Sequence, residues 1–177
     1  MLGFEMLQEI LLLDEVKTTA EACKALDKKI TETLNRNNRS YRDGMDMVIC
    51  AFNKSSNTLQ FTCANRPLIL VRKGEIQEFS PDKYSIGGGI DSIEKQFRCT
   101  EIEVQKGDCF YLFSDGFVDQ FGGPKGKKFM SKQLKELLLS AALLPMREQQ
   151  EKLKRSYENW KGDLEQVDDV LVIGIRI

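Results

Sequence analysis

Between residues 45 and 79 the sequence falls into short apolar runs of strand length, alternating with period 2 at Leu59, Phe61 and Cys63, joined by links too short to cross a sheet. The runs cover residues 45–52, 59–64, 68–72 and 75–79; the links are the polar turn 53–57, Asn65-Arg66-Pro67 and Lys73-Gly74. A parallel connection needs about a dozen residues or more. The spacing therefore predicts an antiparallel meander, with Pro67 breaking the ladder before the third run. Upstream the period is 3.6 rather than 2. Leu2, Met6, Leu7, Ile10, Leu11 and Leu13 predict one amphipathic helix. Ala22, Ala25, Leu26, Ile30 and Leu34 predict a second, capped by Thr18 or Thr19 with Glu21 in its first turn, and residues 35–40 a polar loop. Downstream come a Gly-rich loop at 80–90, a strand at 96–104 and a tight turn at Lys106-Gly107-Asp108. Two more helices follow. One starts at Ser131 as cap and carries Leu134, Leu137, Leu138 and Ala141; the other follows Pro145 and carries Met146, Leu153, Tyr157 and Trp160 up to Gly162. Helices, antiparallel strands, helices and a last strand predict one α+β layered domain over residues 1–177.

The run Cys109-Phe110-Tyr111-Leu112-Phe113 is apolar throughout and ends in Ser114-Asp115-Gly116, followed by a short amphipathic turn. This pattern predicts a buried strand that delivers a carboxylate to the rim of a sheet, with Gly116 letting the chain turn away. Asp168-Asp169 opens the apolar run 170–177 in a similar way. Each aspartate alone also reads as solvated punctuation beside a strand. Together they are the raw material of an oxygen-ligand site for magnesium or manganese. Such ions generate a hydroxide nucleophile and hold phosphoryl oxygens without help from histidine.

That last point matters, because the chain contains no histidine. Ser-His-Asp and Cys-His nucleophiles, phosphohistidine chemistry and most zinc sites are thereby excluded, and acid–base or metal work falls to carboxylates. Five cysteines without a Cys-x-x-Cys pair read as reduced thiols of a cytoplasmic protein. A net charge of −1 gives no electrostatic footprint for nucleic acid. No apolar run approaches the roughly 20 residues of a membrane span, and the first residues carry no basic signal-peptide region. Gly87-Gly88-Gly89 lacks the Gly-Lys-Ser/Thr of a phosphate loop and reads as a turn. Lys125, Lys127 and Lys128 read as a solvated loop, with contact to an acidic phosphoprotein as the competing use. Asp46, at a strand start, is a further candidate for mutation.

Asp43-Gly44-Met45-Asp46-Met47, Ala64-Asn65-Arg66-Pro67-Leu68, Ile86-Gly87-Gly88, Lys106-Gly107-Asp108 with Leu112-Phe113-Ser114-Asp115-Gly116, and Gln166-Val167-Asp168-Asp169-Val170 together carry a resemblance. In order and spacing they are similar to the SpoIIE-like branch of the metal-dependent serine/threonine protein phosphatases, the PPM superfamily. The resemblance implies a layered β-sandwich flanked by helices, with two Mn2+ or Mg2+ ions at one end. Asp115 and Asp168 would be catalytic metal ligands, with Asp169 as a further or alternative ligand and Asp108 structural. A metal-bridging water would attack phosphoserine or phosphothreonine in line, without a phosphoenzyme. The expected partner is a phosphorylated regulatory protein of the anti-sigma-antagonist type. The family's first metal ligand lies in an N-terminal Asp-x-x-Gly-His-Gly motif that this sequence lacks. The resemblance thus implies the C-terminal portion of the domain, N-terminally incomplete, with Met1 internal to a longer protein and a weakened two-ion site. A catalytically inactive interaction module is the alternative, and a homodimer completing the sandwich between chains a third reading.

Overall fold

A computed structural model of the chain describes residues 2–12, 15–35, 44–88 and 94–177. Leu13, the body of the expected loop at 35–40, Asp43, and Gly89 with the end of the Gly-rich loop lie outside the described residues. In chain order the elements are α1 (Leu2–Leu11), α2 (Thr19–Asn35), β1 (Gly44–Met45), β2 (Met47–Asn53), β3 (Thr58–Ala64), β4 (Leu68–Arg72), β5 (Glu75–Phe79), β6 (Ile86–Gly87), β7 (Thr100–Glu103) and β8 (Cys109–Phe113). Then follow α3 (Asp115–Asp119), β9 (Phe121–Gly122), β10 (Lys127–Lys128), α4 (Met130–Ala141), α5 (Met146–Lys161) and β11 (Val172–Arg176). Among the described residues these strands pair antiparallel with one another, as short links require, and two isolated parallel bridges join Met47 to Asn65 and Ala64 to Asp82. The contacts divide the chain into two units, Met1–Pro67 with Ser80–Val104 and Leu68–Phe79 with Gln105–Ile177.

The expected meander is not continuous. β2 and β3 form one hairpin and β4 and β5 another, but β3 pairs onward with β7 while β4 pairs with β8. The switch falls at Asn65-Arg66-Pro67, where Asn65 adopts φ +55° and Pro67 has no N–H to give a ladder. Other boundaries also moved. The strand expected at 96–104 begins only at Thr100. Ser131 lies inside α4 rather than capping it, and the turn after Asp115 is a short helix.

In the first unit, α1 and α2 lay Met6, Ile10, Cys23, Leu26 and Ile30 against Ala64 and Ile86. Leu11, expected in that stripe, is instead 58% exposed. The start of α2 is a capping box: the Glu21 N–H donates to Thr18 Oγ1 (3.2 Å), and the Thr18 N–H donates back to Glu21 Oε2 (2.8 Å). The Lys17 and Thr18 N–H donors hold the Glu21 carboxyl below its usual range. Thr19 then fastens the helix to the sheet, its hydroxyl 2.8 Å from that of Thr62.

In the second unit the sheet order is β11-β8-β4-β5. Ile69, Val71, Cys109 and Tyr111 present one face to Phe117, Phe129, Leu134, Leu138, Leu153 and Tyr157 from the helices and α4's entry. The alternating residues Leu68, Leu70 and Phe110 are buried as well, which explains why the central strand reads as unbroken apolar sequence. β11 departs from expectation. It begins at Val172 rather than residue 170 and is an edge strand, with Ile173 and Ile175 44% and 45% exposed, so of the two strands next to the aspartates only β8 is buried.

Candidate active site

The second unit holds Asp115, Asp168 and Asp169, and backbone geometry brings the segments carrying them together. The β8–β11 register ends at Phe113 opposite Val172. Ser114 prolongs it: its N–H donates to Leu171 O (3.0 Å), its hydroxyl donates to Asp169 O (2.7 Å), and the Leu171 N–H donates to that same hydroxyl (2.9 Å). Asp115 is the next residue and opens α3. At Gly116 the chain passes under the Asp168-Asp169 backbone. A Cβ there would stand 3.0 Å from Asp168 O, 2.9 Å from Asp169 C and closer still to Asp169 O. Only glycine permits this crossing, so the Ser114-Asp115-Gly116 sequence serves as a clasp as well as a turn. On the other side, the Asp169 N–H donates to Asp168 Oδ1 (2.7 Å) and Gln166 Nε2 donates to Asp168 O (2.8 Å). Both aspartate side chains face solvent.

Sequence reasoning missed the residue that ties these parts together. Gln120 is completely buried. Its Oε1 accepts from the Tyr157 hydroxyl (2.8 Å) and the Val167 N–H (3.2 Å), and its Nε2 donates to Phe121 O (3.0 Å) and Glu165 O (2.9 Å). Its own carbonyl accepts from Trp160 Nε1 (3.0 Å) and the Phe129 N–H (3.0 Å). Gln120 therefore joins the end of α3, the side of α5 and the segment leading into Asp168. Nothing local in the sequence marks it, because its partners lie up to 47 residues away.

The remaining candidates are structural in character. Asp108 is buried against Arg72, whose Nε and Nη2 both donate to its carboxylate, and the Gln105 N–H donates at 2.8 Å. Burial works to raise its pKa, but the Arg72 hydrogen bonds, the Gln105 N–H and the Arg72 charge outweigh it and hold the carboxyl below the usual range. In the first unit, Asp46 accepts from Asn65 Nδ2 (3.0 Å), Ser85 Oγ and Arg66 Nη2 (3.1 Å). Gly87 and Gly88 do not form a phosphate cradle. The Gly87 N–H is taken by Asp27 (2.7 Å), while Lys95 Nζ draws in the carbonyls of Ser85 (2.8 Å), Gly87 (2.6 Å) and Gly88 (2.9 Å). A phosphate needs donors, and here acceptors converge on a cation. Among the described residues no three acidic or cysteine side chains gather to hold a metal ion.

Solved structures superpose on nearly all of this chain. The SiaA PP2C domain of Pseudomonas aeruginosa does so with a TM-score of 0.88 and 25% identity, over 99% of this chain and 68% of that one. The PP2C phosphatase domain of Bacillus subtilis SpoIIE with a fragment of its regulatory domain gives 0.71 and 16%, over 99% and 48%. The RsbU and RsbW domains of a Mycobacterium tuberculosis protein give 0.66 and 18%, over 99% and 46%. The architecture is thus the mixed α+β fold of PPM/PP2C phosphatases. The chain belongs to the family of stage II sporulation protein E (SpoIIE), whose profile matches residues 4–177. No curated protein sequence matches it significantly. Among the described residues no helix is long and apolar enough to cross a membrane.

Proposed function

We propose that this chain is the catalytic part of a metal-dependent protein serine/threonine phosphatase that acts on a phosphorylated regulatory protein. Asp115, Asp168 and Asp169 would be its contribution to a Mn2+ or Mg2+ site. The observation that supports this reading is the clasp of Ser114 and Gly116 on the Asp168-Asp169 backbone, which seats two acidic segments side by side. The donors fit in kind: oxygen ligands suit hard cations, and magnesium is commonly held by one or two carboxylates with water and substrate phosphate completing its shell. When bound, such ions supply an activated water and neutralise phosphoryl charge.

The protein's own residues contribute placement. Ser114 fixes where α3 begins and hence where Asp115 projects. The Asp169 N–H engages one carboxylate oxygen of Asp168 and so limits its rotation. Gln120 holds the segment before Asp168 to α5. A regulatory substrate is supported by the likeness to SpoIIE of Bacillus subtilis, described as a cell fate determinant. Free thiols at all five cysteines favour a reducing, cytoplasmic setting.

The test is manganese-dependent phosphate release from a phosphoserine protein. Asp115→Asn and Asp168→Asn are each expected to lower the rate by about 100-fold or more, the scale of a lost electrostatic contact to the reacting centre. Unchanged release by either variant would remove that residue from the site. The absence of a three-ligand cluster among the described residues favours a second reading, a non-catalytic interaction module. Calorimetry separates the two, since partner binding without manganese binding fits only the module.

A further inference from the structure

We propose that the hairpin β9–β10, with the hollow behind it, docks an acidic segment of the phosphoprotein substrate that also carries a large apolar side chain. The inference rests on the phosphatase reading above and adds to it a recognition surface with its own chemistry.

The hollow is an open depression of about 700 Å3 lined by Phe121, Pro124, Met130 and Trp160, with the exposed Lys125 and Lys127 beside them. Its floor is apolar and open to solvent: Phe121 is 41% and Met130 56% exposed. Met130 also sits at φ +73°, a conformation that side-chain-bearing residues adopt rarely and that clusters where function demands it. The lysines are not equivalent. Lys128 is committed to Asp119 (3.1 Å) and lies 5.8 Å above the Phe121 ring. Lys125 and Lys127 have no ion pair or side-chain hydrogen bond among the described residues, so their charge is available to a partner. An apolar floor with an unpaired cationic rim fits a peptide bearing aspartate or glutamate beside one large apolar residue.

The surface is held ready. The Gly123 N–H donates to Trp160 O (2.8 Å), and a Cβ on Gly123 would stand 2.6 Å from the Trp160 ring. Trp160 in turn donates to Gln120 O. A hairpin pressed so closely onto α5 loses little freedom when a ligand arrives. Its position also suits the chemistry. From Asp115 the chain runs through α3 and enters β9 at Phe121. At about 1.5 Å per helical residue and about 3.3 Å per extended one, that path is on the order of 10–14 Å. An extended peptide covers it in about three to five residues. The path sets an upper limit on the separation, so the docking residues of the substrate lie within about five positions of the phosphoserine.

Trp160 is the chain's sole tryptophan and reports on the hollow directly. A synthetic phosphoserine peptide with Asp-Asp and Leu placed three to five residues from the phosphoserine is titrated against the full chain by Trp160 fluorescence. A matched peptide with Ser-Ser and Ala serves as control. The wild type is expected to bind the acidic peptide at least tenfold tighter than the control. The double substitution Lys125→Glu, Lys127→Glu is expected to abolish that preference while leaving p-nitrophenyl phosphate hydrolysis unchanged. Equal binding of both peptides by the wild type, or an undiminished preference in the double variant, overturns the docking surface. If p-nitrophenyl phosphate is not hydrolysed at all, the phosphatase reading fails, while the Trp160 titration still decides the docking.

Discussion

Replacing Gln120 by leucine strips partners from the Tyr157 hydroxyl, the Val167 N–H, Phe121 O and Glu165 O in one step. Tyr157 is buried, so its stranded hydroxyl costs about 1–3 kcal/mol. The backbone partners lie in exposed segments and can turn to water, each losing about 0.5–1 kcal/mol. Leucine's own burial returns about 1 kcal/mol. The net loss comes to about 1.5–5 kcal/mol, a large share of the roughly 5–15 kcal/mol that holds a domain together. Urea unfolding followed by circular dichroism and Trp160 fluorescence reads it. At a slope near 2 kcal/mol/M the midpoint falls by about 0.8–2.5 M. A double-mutant cycle with Tyr157→Phe isolates the shared bond and is expected to show a coupling of about 1 kcal/mol. A loss below about 0.5 kcal/mol, or two effects that simply add, would refute the claim that Gln120 joins α3 to α5.

Gly116→Ala forces a Cβ into the Asp168-Asp169 backbone and is expected to cost about 1–3 kcal/mol, checked by thermal denaturation; manganese binding measured by calorimetry should weaken with it. Asp108 has a depressed folded-state pKa, so its contribution is fully present above the unfolded value near 3.9 and is lost as pH falls toward the folded value. Asp108→Asn should therefore lower stability at neutral pH and flatten the loss below about pH 4 in acid titrations followed by circular dichroism. Burial pushes the Cys23 thiol up to about 12, whereas Cys99 is exposed. At pH 8 iodoacetamide should label Cys99 within minutes and leave Cys23 intact until the chain unfolds, which peptide mass spectrometry resolves.

Element types were legible from the sequence because their causes are local. A 3.6-residue period gave α1 and α2, short apolar runs with turn-forming links gave the hairpins, and Pro145 and Gly162 bounded α5 where backbone chemistry demands it. Ser114-Asp115-Gly116 and Asp168-Asp169 stood out for a similar reason, since a polar break at either end of an apolar run is visible in one dimension. Which sheet each hairpin joins was not visible. Antiparallel pairing has the same hydrogen-bond chemistry wherever it occurs, and the change of partner falls at the turn Asn65 to Pro67, after which β4 pairs with β8.

What the chain's composition and order determined alone was the division of labour: no histidine, carboxylates at strand ends, helices flanking antiparallel strands. What tertiary structure decided was mutual placement. Gly116 is glycine because another backbone crosses it, Gln120 matters because distant donors and acceptors converge on it, and Lys125 differs from Lys128 because only one has a carboxylate beside it. These are properties of pairs separated by tens of residues. They come into being only when packing brings both partners within a few ångströms, the range over which hydrogen bonds and steric exclusion act.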